Sequence, residues 1–250
     1  LDAQQTRMNV ISNNLANVNT TGFKRDRANF ETLLYQNIRP AGAQTSEGTQ
    51  LTTPLSVGTG VRIVNTEKLY SQGGLATTDN ALDVAIDGQG FLQVLLPDGR
   101  IGYTRDGALS RNAEGTLTTA SGYVVQPEIQ IPDGAQEIII SADGIVSVTM
   151  PGATAAEEVG QITLAAFPNP RGLNPIGENF VVESPASGPA VVGAPYTDGM
   201  GKLVQGALEA SNVNVVQELV DMIETQRAYE VNSKSISASD EMMRFLSNKL

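Results

Sequence analysis

Residues 13–24, NNLANVNTTGFK, combine two features that rarely occur together in one helix. Asparagine is a poor helix former, because its amide competes for nearby backbone groups. Apolar residues nevertheless recur here at the spacing of one helical face: Met8, Ile11, Leu15 and Val18. Thr21-Gly22 supplies a break, since glycine commonly follows the last residue of a helix. The stretch therefore predicts an amphipathic helix that ends before Phe23.

A short second helix is predicted after this break. Phe30, Leu33, Leu34 and Ile38 resume an apolar face, so residues 1–34 are interpreted as helix, break and helix.

The composition excludes several classes of function. The chain has 250 residues, of which 40% are hydrophobic, enough for one or two domains. It contains no Cys and no His, so disulfides, zinc–thiolate sites and a Ser-His-Asp arrangement are excluded. It contains no Trp, and aromatic residues total 5%, so platforms for stacking bases are not expected. No cofactor is predicted, and no apolar run is long enough to span a membrane.

The negative charge is concentrated in the middle of the chain. The formal net charge is −11, and residues 51–210 carry 7 basic and 17 acidic side chains. Such a surface repels nucleic acid and anionic lipid.

Residues 61–207 are typical of antiparallel β structure. Asp-Gly or Glu-Gly pairs recur between short β-prone runs such as GFLQVLL and GIVSVTM. Turn dipeptides at this spacing predict hairpins of an antiparallel sheet or an open barrel.

A long helix is predicted at the C-terminus, with Asn212 or Asn214 as its cap. Apolar residues follow one another there at intervals of seven: Val215, Met222, Tyr229, Ile236, Met243 and Leu250. The neighbouring column begins with Leu219 and then becomes polar. This pattern indicates a coiled-coil-like seam, and the alternative is an ordinary amphipathic surface helix.

Residues 39–60, RPAGAQTSEGTQLTTPLSVGTG, contain few large apolar groups. One interpretation is a disordered linker, and the other is an extended arm that orders against a partner. The arm is placed at residues 35–66 and includes Pro40, Gly42, Gln44 and Pro54.

No arrangement of residues in the sequence resembles an active site. Asp79, Asp83 and Asp87 lack the spacing of a calcium loop. DGMGKL at 198–203 lacks parts of a phosphate loop, and Arg105-Asp106-Gly107 is interpreted as a turn with a neutralised carboxylate. Neither an enzyme nor a small-molecule substrate is predicted.

Four long segments carry a resemblance to a known family. ISNNLANVNTTGFKRDRANFETLL at 11–34 and ASNVNVVQELVDMIETQRAYEVNSKSISASDEMM at 210–243 resemble the terminal signatures of bacterial flagellar axial proteins, those of the rod and hook. SQGGLATTDNALDVAIDGQGFLQV at 71–94 and YTRDGALSRNAEGTLTTASGYVVQ at 103–126 are similar to the family's β-domain motifs. The resemblance is strongest to the distal rod. A proximal rod or short hook protein is the first alternative, and a secreted β-rich binding module is the second.

The resemblance implies an α+β fold. Terminal helices at 1–34 and 208–250 would pair in a coiled-coil-like tube core, with a connecting arm at 35–66 and an outer, mainly antiparallel β domain at 67–207. It implies a helical homopolymer that encloses the export channel and transmits torque. The implied partners are the proximal rod protein, the hook protein, a bushing of P-ring and L-ring, and the flagellar type III export apparatus.

The resemblance also assigns roles to particular residues. We expect the terminal segments to supply subunit contacts through Met8, Ile11, Asn13, Asn14, Leu15, Asn17, Val18, Gly22 and Phe23, and through Val215, Leu219, Met222, Tyr229, Ile236 and Met243. The asparagine amides would bond between subunits or line a channel without holding charged cargo, since amides both donate and accept hydrogen bonds. A helix that merely tolerates asparagine is the alternative. Glu157 and Glu158 are predicted on an outer acidic surface.

Overall fold

The helices predicted at the two ends of the chain are present. The computed structural model describes residues 2–39, 44–46, 49–50, 53–152 and 155–247. Helix α1 spans Asp2–Ala16, so it ends well before Gly22, and helix α2 spans Val215–Ser247. A 3-10 turn lies at Pro170–Gly172. No helix among the described residues is long and apolar enough to cross a membrane.

The chain divides into two compact units. Unit 1 contains residues 1–14, 26–67 and 216–250, and unit 2 contains residues 15–25 and 68–215. The chain therefore passes from one unit to the other four times.

The described residues between 26 and 67 in unit 1 form a two-stranded β ribbon rather than a second helix. Its strands are β1 (Asp26–Thr32), β2 (Tyr35–Arg39), β3 (Gln44–Ser46), β4 (Thr49–Gln50), β5 (Leu55–Gly58) and β6 (Val61–Lys68). Strand β2 pairs antiparallel with β5, β3 pairs antiparallel with β4, and β1 pairs with β6. The short second helix predicted up to residue 34 is therefore wrong.

Cross-strand contacts explain why this segment becomes a ribbon. Side chains of β1 and β6 meet in the pairs Arg27–Glu67, Asn29–Asn65 and Glu31–Arg62. Opposite charges and amides facing each other across two strands stabilise the pairing. These contacts join residues more than thirty positions apart, so they leave no trace in the local apolar spacing.

Unit 2 contains sixteen further strands among its described residues. They are β7 (Leu75–Thr77), β8 (Val84–Asp87), β9 (Phe91–Leu95), β10 (Ile101–Thr104), β11 (Leu109–Arg111), β12 (Leu117–Thr119), β13 (Val125–Gln126), β14 (Glu137–Ile140), β15 (Ile145–Thr149), β16 (Glu157–Gln161), β17 (Leu164–Ala166), β18 (Asn174–Gly177), β19 (Phe180–Val182), β20 (Val191–Gly193), β21 (Lys202–Gln205) and β22 (Ala207–Glu209). The predicted, mainly antiparallel β middle is confirmed.

A seven-stranded sheet organises unit 2. Its strand order is β18-β19-β10-β9-β17-β20, and β13 also pairs with β9. Strands β14, β15 and β16 form a second, three-stranded sheet. The remaining strands pair as β11 with β12, β8 with β21 and β7 with β22.

Both faces of the seven-stranded sheet are covered by apolar side chains. Successive side chains of a strand point to opposite faces, so neighbouring residues of β9 enter different clusters. Leu92 and Val94 of β9 belong to the larger buried cluster, together with Leu164 of β17. Phe91 lies in a smaller cluster with Tyr103. Unit 2 therefore has two apolar cores, one on each side of its main sheet.

The predicted turn dipeptides connect neighbouring strands. Gly99 joins β9 to β10, Gly115 joins β11 to β12, and Gly144 joins β14 to β15. All three glycines have positive φ angles, which glycine adopts without steric cost.

Candidate functional site

The asparagines of α1 make bonds within the chain. Asn14 is buried, and its amide both donates to the Asp26 carbonyl, at 2.9 Å, and accepts from the Asp26 N–H, at 2.8 Å. The same amide donates to a carboxylate oxygen of Glu218 in α2, at 3.3 Å. A charged side chain could not donate and accept in this way. Asn14 therefore joins α1 to the start of β1 and to α2.

The other asparagines are less enclosed. Asn13 is exposed and donates to the Asp26 carboxylate, and Asn17 accepts from the Thr20 hydroxyl. The predicted roles of the three asparagines between subunits or along a channel stay predictions.

The buried positions in the first half of α2 are polar. Glu218 and Thr225 are fully buried, and the Thr225 hydroxyl donates to the Asp221 carbonyl at 2.6 Å. Asp221 also lies 3.8 Å from Arg7 of α1. Helices α1 and α2 therefore meet through polar groups within one chain.

The predicted heptad column points largely to solvent. Met222 is half-buried, and exposure then rises along the helix from 38% at Tyr229 through 50% at Ile236 to 69% at Met243. Val215 and Leu219 are also exposed. The apolar column is thus left uncovered, and its coiled-coil pairing stays a prediction.

Unit 1 exposes many large apolar side chains on its ribbon and on α2. We call these side chains together the assembly surface: Phe30, Leu34, Tyr35, Ile38, Val57 and Val64, with Leu219, Val220, Ile223, Ile236, Met243 and Phe245. A two-stranded ribbon alone is marginally stable in water. Large exposed apolar surfaces mark sites of protein association.

The remaining predicted contact residues of the N-terminal segment are more enclosed. Ile11 is buried, and Met8, Leu15 and Val18 are half-buried. Their contacts between subunits stay predictions.

Gly22 and Phe23 lie inside unit 2. The Gly22 N–H donates to the Glu209 carbonyl at 2.7 Å, and its φ of +67° favours glycine. A Cβ at this position would lie 2.7 Å from the Arg105 carbonyl carbon. Phe23 is buried, with the Lys68 ammonium 4.9 Å from its ring centre. The break in the opening motif is therefore a close-packed part of unit 2, and an interface role for either residue stays a prediction.

A buried ion cluster lies beside Gly22. The Glu209 carboxylate accepts from the Lys24 ammonium at 2.7 Å and from the Arg105 guanidinium at 2.9 Å. The three side chains are at most 6% exposed. Arg105 also donates to the Gly88 and Gly90 carbonyls, and the Gly73 N–H donates to Glu209. Such pairing is required, because an isolated charge inside a protein is costly.

Burial shifts the two titratable groups in different ways. Burial lowers the pKa of Lys24, against the opposing effect of its hydrogen bond to Glu209. Burial alone would raise the pKa of Glu209. The Arg105 charge, together with hydrogen bonds from Arg105, Lys24 and Gly73, outweighs it and leaves that pKa lowered. Glu209 is therefore held as a carboxylate.

Asn212 has a different role from the predicted helix cap. Its side-chain oxygen accepts from the Arg25 N–H at 2.7 Å, and its NH₂ group donates to the Leu69 and Ser71 carbonyls at 2.8 and 3.1 Å. This amide therefore ties three separate chain segments together.

The predicted arm and surface residues are only partly described. Pro40 and Gly42 lie outside the described residues. Gln44 belongs to β3, and Pro54 is exposed. Glu157 and Glu158 are exposed on β16, which is an edge of the three-stranded sheet.

The ion cluster was not identified from the sequence. Arg105 was predicted to neutralise a carboxylate within its own turn, but its guanidinium pairs with Glu209 instead. Lys24 and Glu209 are separated by 185 positions, so no local sequence pattern predicts that they pair. No group of three or more acidic residues among the described residues could hold a metal ion.

Sequence comparisons agree with this architecture. Residues 1–24 match the family described as flagella basal body rod protein, and residues 85–148 match the D1 domain of the flagellar hook protein FlgE/F/G. Residues 204–249 match the C-terminal region of the flagellar basal body rod FlgEFG proteins.

Named relatives match along the whole chain. The flagellar basal-body rod protein FlgG of Buchnera aphidicola subsp. Schizaphis graminum is 56% identical over 247 residues, covering 99% of this chain and 95% of the relative. The FlgG protein of Caulobacter vibrioides is 48% identical, with coverage of 97% and 93%. That of Bacillus subtilis is 39% identical, with coverage of 98% and 93%.

Exposed apolar side chains on the helical unit, joined to a β unit with cores of its own, are typical of a subunit that assembles with other chains. The chain belongs to the family of flagellar basal-body rod proteins that these relatives name FlgG. It is a structural subunit of the distal rod in the flagellar basal body, as the resemblance implied. The alternatives of a proximal rod or short hook protein and of a secreted binding module are set aside.

We expect Glu209→Gln to destabilise unit 2 by about 3 kcal/mol at pH 7, because it leaves buried Lys24 and Arg105 without their counter-charge. The Glu209 pKa is lowered in the folded state, so its contribution is fully present above the ordinary value of 4.5 and is lost as pH falls below it. The difference in unfolding free energy between wild type and variant should therefore narrow in acid.

Chemical denaturation from pH 3 to 8 measures this difference. Glu157→Gln is the matched control, because it makes the same change at an exposed position. A Glu209→Gln protein as stable as the control at pH 7 would contradict the predicted contribution of the ion cluster to the free energy of unfolding.

Proposed function

We propose that this subunit self-assembles into a rigid helical tube that transmits motor torque to the hook and encloses the export channel. The observation that carries the proposal is the assembly surface, which leaves the apolar residues of α2 and the ribbon exposed in one chain. Unit 2, by contrast, buries two apolar cores of its own. Unit 1 therefore needs neighbouring copies, whereas unit 2 does not.

The helices would form the tube core. The polar contact between Asn14 and Glu218 fixes α1 against α2 within one chain and leaves the heptad column free for other chains. Met222, Tyr229, Ile236 and Met243 would then pack in coiled-coil-like seams between subunits. The tube core is assigned to α1 and α2 within residues 1–34 and 208–250, the connecting segment to residues 35–66 and the outer domain to residues 67–207. Residues 15–25 and 209–215 belong to unit 2 and would join the tube core to the outer domain.

The connecting segment would stiffen the tube. Because its strands pair with one another, the segment is a ribbon whose exposed apolar side chains could pack against adjacent subunits. Packing on both neighbours would resist bending, as a drive shaft requires.

The polymer would contact other flagellar proteins at its ends and around its side. We assign the proximal rod protein to one end, the hook protein to the other, and the P-ring and L-ring to the surrounding bushing. The type III export apparatus would deliver the subunits. Asn13 and Asn17 are candidates for the channel wall, since neutral amides do not hold charged cargo.

The β unit would face outward, which turns the acidic middle of the chain into an outer surface. Diffuse charge of one sign acts over about 8 Å at physiological salt and disfavours any single docked orientation. Glu157 and Glu158 are exposed on an edge strand of unit 2, and we assign them to the face that a surrounding ring would pass. Contact with the bushing would therefore be weak and would allow rotation.

We predict that Met222→Asp and Ile236→Asp each abolish polymerisation and leave unit 2 folded, because each would bury an unpaired carboxylate between subunits. Electron microscopy of concentrated wild-type protein should show tubes of constant diameter. Sedimentation and circular dichroism then compare the variants. Val192→Asp is the control, since it places the same charge at an exposed apolar position of unit 2. Normal tubes from either α2 variant would exclude the predicted seam.

We predict that Glu157→Lys and Glu158→Lys together slow rotation in cells, most strongly at low ionic strength, because they introduce positive charge into the outer acidic surface. Rotation speed is measured against a Glu157→Gln, Glu158→Gln control in cells with normally assembled rods. Unchanged speed in the lysine variant would mean that the acidic surface serves solubility alone.

A further inference from the structure

The chain passes between its two units four times. The unit 2 ends of these four passages lie in three short segments. These segments are residues 15–25, residues 68–73 and residues 209–215. The first carries a passage at each of its ends, and the other two carry one passage each. We call the three segments together the junction; all of it lies within unit 2.

The first and third segments are joined by two backbone N–H groups and one ion pair. The Gly22 N–H donates to the Glu209 carbonyl, and the Arg25 N–H donates to the Asn212 side chain. The Lys24 ammonium pairs with the Glu209 carboxylate at 2.7 Å.

The second segment is bonded to both of the others. The Leu69 N–H donates to the Arg25 carbonyl at 2.9 Å, and Lys24 donates to the Ser71 carbonyl at 2.8 Å. Asn212 donates to the Leu69 and Ser71 carbonyls, and Glu209 accepts from the Gly73 N–H. Every pair of segments is therefore tied directly, and Glu209 and Asn212 each bond to both of the other segments.

Arg105 fixes the junction to the main sheet. It is buried, contacts Glu209, and donates to the carbonyls of Gly88 and Gly90, which lie immediately before β9. The junction is thus anchored on the strand at the centre of the sheet.

We propose that Asn212 and Glu209 are positioning residues that make the four passages act together, so that torque passing between the helices and the β unit is shared among them. This inference builds on the proposed function of a torque-transmitting tube. Three of the passages lie within α1, β6 and α2, whose own backbone bonds stiffen each of them separately. Asn212 and Glu209 add bonds that hold the unit 2 ends of the passages to one another. With them, a force on one passage reaches the other three through short hydrogen bonds and the buried ion pair.

Substitution of Asn212 tests the proposal without removing a buried charge. Asn212→Ala removes both functions of the amide. Asn212→Asp retains the acceptor for the Arg25 N–H but replaces the donor with an oxygen that faces the Leu69 and Ser71 carbonyls. Asn169→Ala is the matched control, because Asn169 makes a side-chain bond to the Ala186 carbonyl elsewhere in unit 2.

Hydrogen exchange of single amides is the first measurement. In Asn212→Ala, the amides of Arg25 and Leu69 should exchange about tenfold faster than in wild type, while those of β9 and β10 remain unchanged. In Asn212→Asp, the Arg25 amide should exchange as slowly as in wild type, because it keeps its acceptor at position 212. A uniform acceleration through unit 2 would instead mean that Asn212 contributes stability alone, and unchanged exchange would overturn the junction altogether.

The bending of assembled tubes is the second measurement. The persistence length of Asn212→Ala tubes in electron micrographs should fall below that of wild type, and Asn169→Ala tubes should match wild type. Equal stiffness in all three, despite faster exchange at Arg25, would overturn the role in sharing torque. Failure of wild type to form tubes would refute the proposed function instead, and the exchange data would then decide whether the junction exists.

Discussion

One carboxylate, that of Glu209, connects parts of the chain that lie far apart in sequence. It is fully buried between the cations of Lys24 and Arg105, and its own backbone carbonyl accepts from Gly22. A buried carboxylate is tolerated only when it is paired and hydrogen-bonded in this way. Glu209 therefore bonds the TTGFK segment at residues 20–24 and Arg105 to the chain segment that precedes α2.

The two units differ in how much of their apolar surface they bury within one chain. Unit 2 covers both faces of its main sheet, so it is complete within one chain. Unit 1 places Asn14 and Glu218 between its helices and leaves Ile236, Met243 and the ribbon side chains in solvent. A structural subunit of a rod needs this division, because a chain that buried every apolar residue itself would have little left to bind its neighbours.

Local sequence patterns predicted the secondary-structure elements that depend on neighbouring residues alone. The Asp-Gly and Glu-Gly turns, the two terminal helices and the β middle follow from short-range spacing, and the structure confirms them. The ribbon was missed because Arg27–Glu67 and Asn29–Asn65 act across more than thirty residues and override the helical spacing around Phe30. The roles of Asn212 and Glu209 were missed for the same reason. The sequence showed that asparagine is unusual at position 14, but the bonds of Asn14 to Asp26 and Glu218 could be identified only from the structure.

A rod subunit built in this way has unit 2 folded before assembly, and its unit 1 is completed only by assembly. Hydrogen exchange along the free subunit and the assembled tube tests this most directly. We expect strong protection of β9, β10 and residues 20–25 in both states, with α1 and α2 protected only in the tube, because helices with few buried apolar side chains open readily. Strong protection throughout α1 and α2 in the free subunit would show instead that unit 1 folds without assembly.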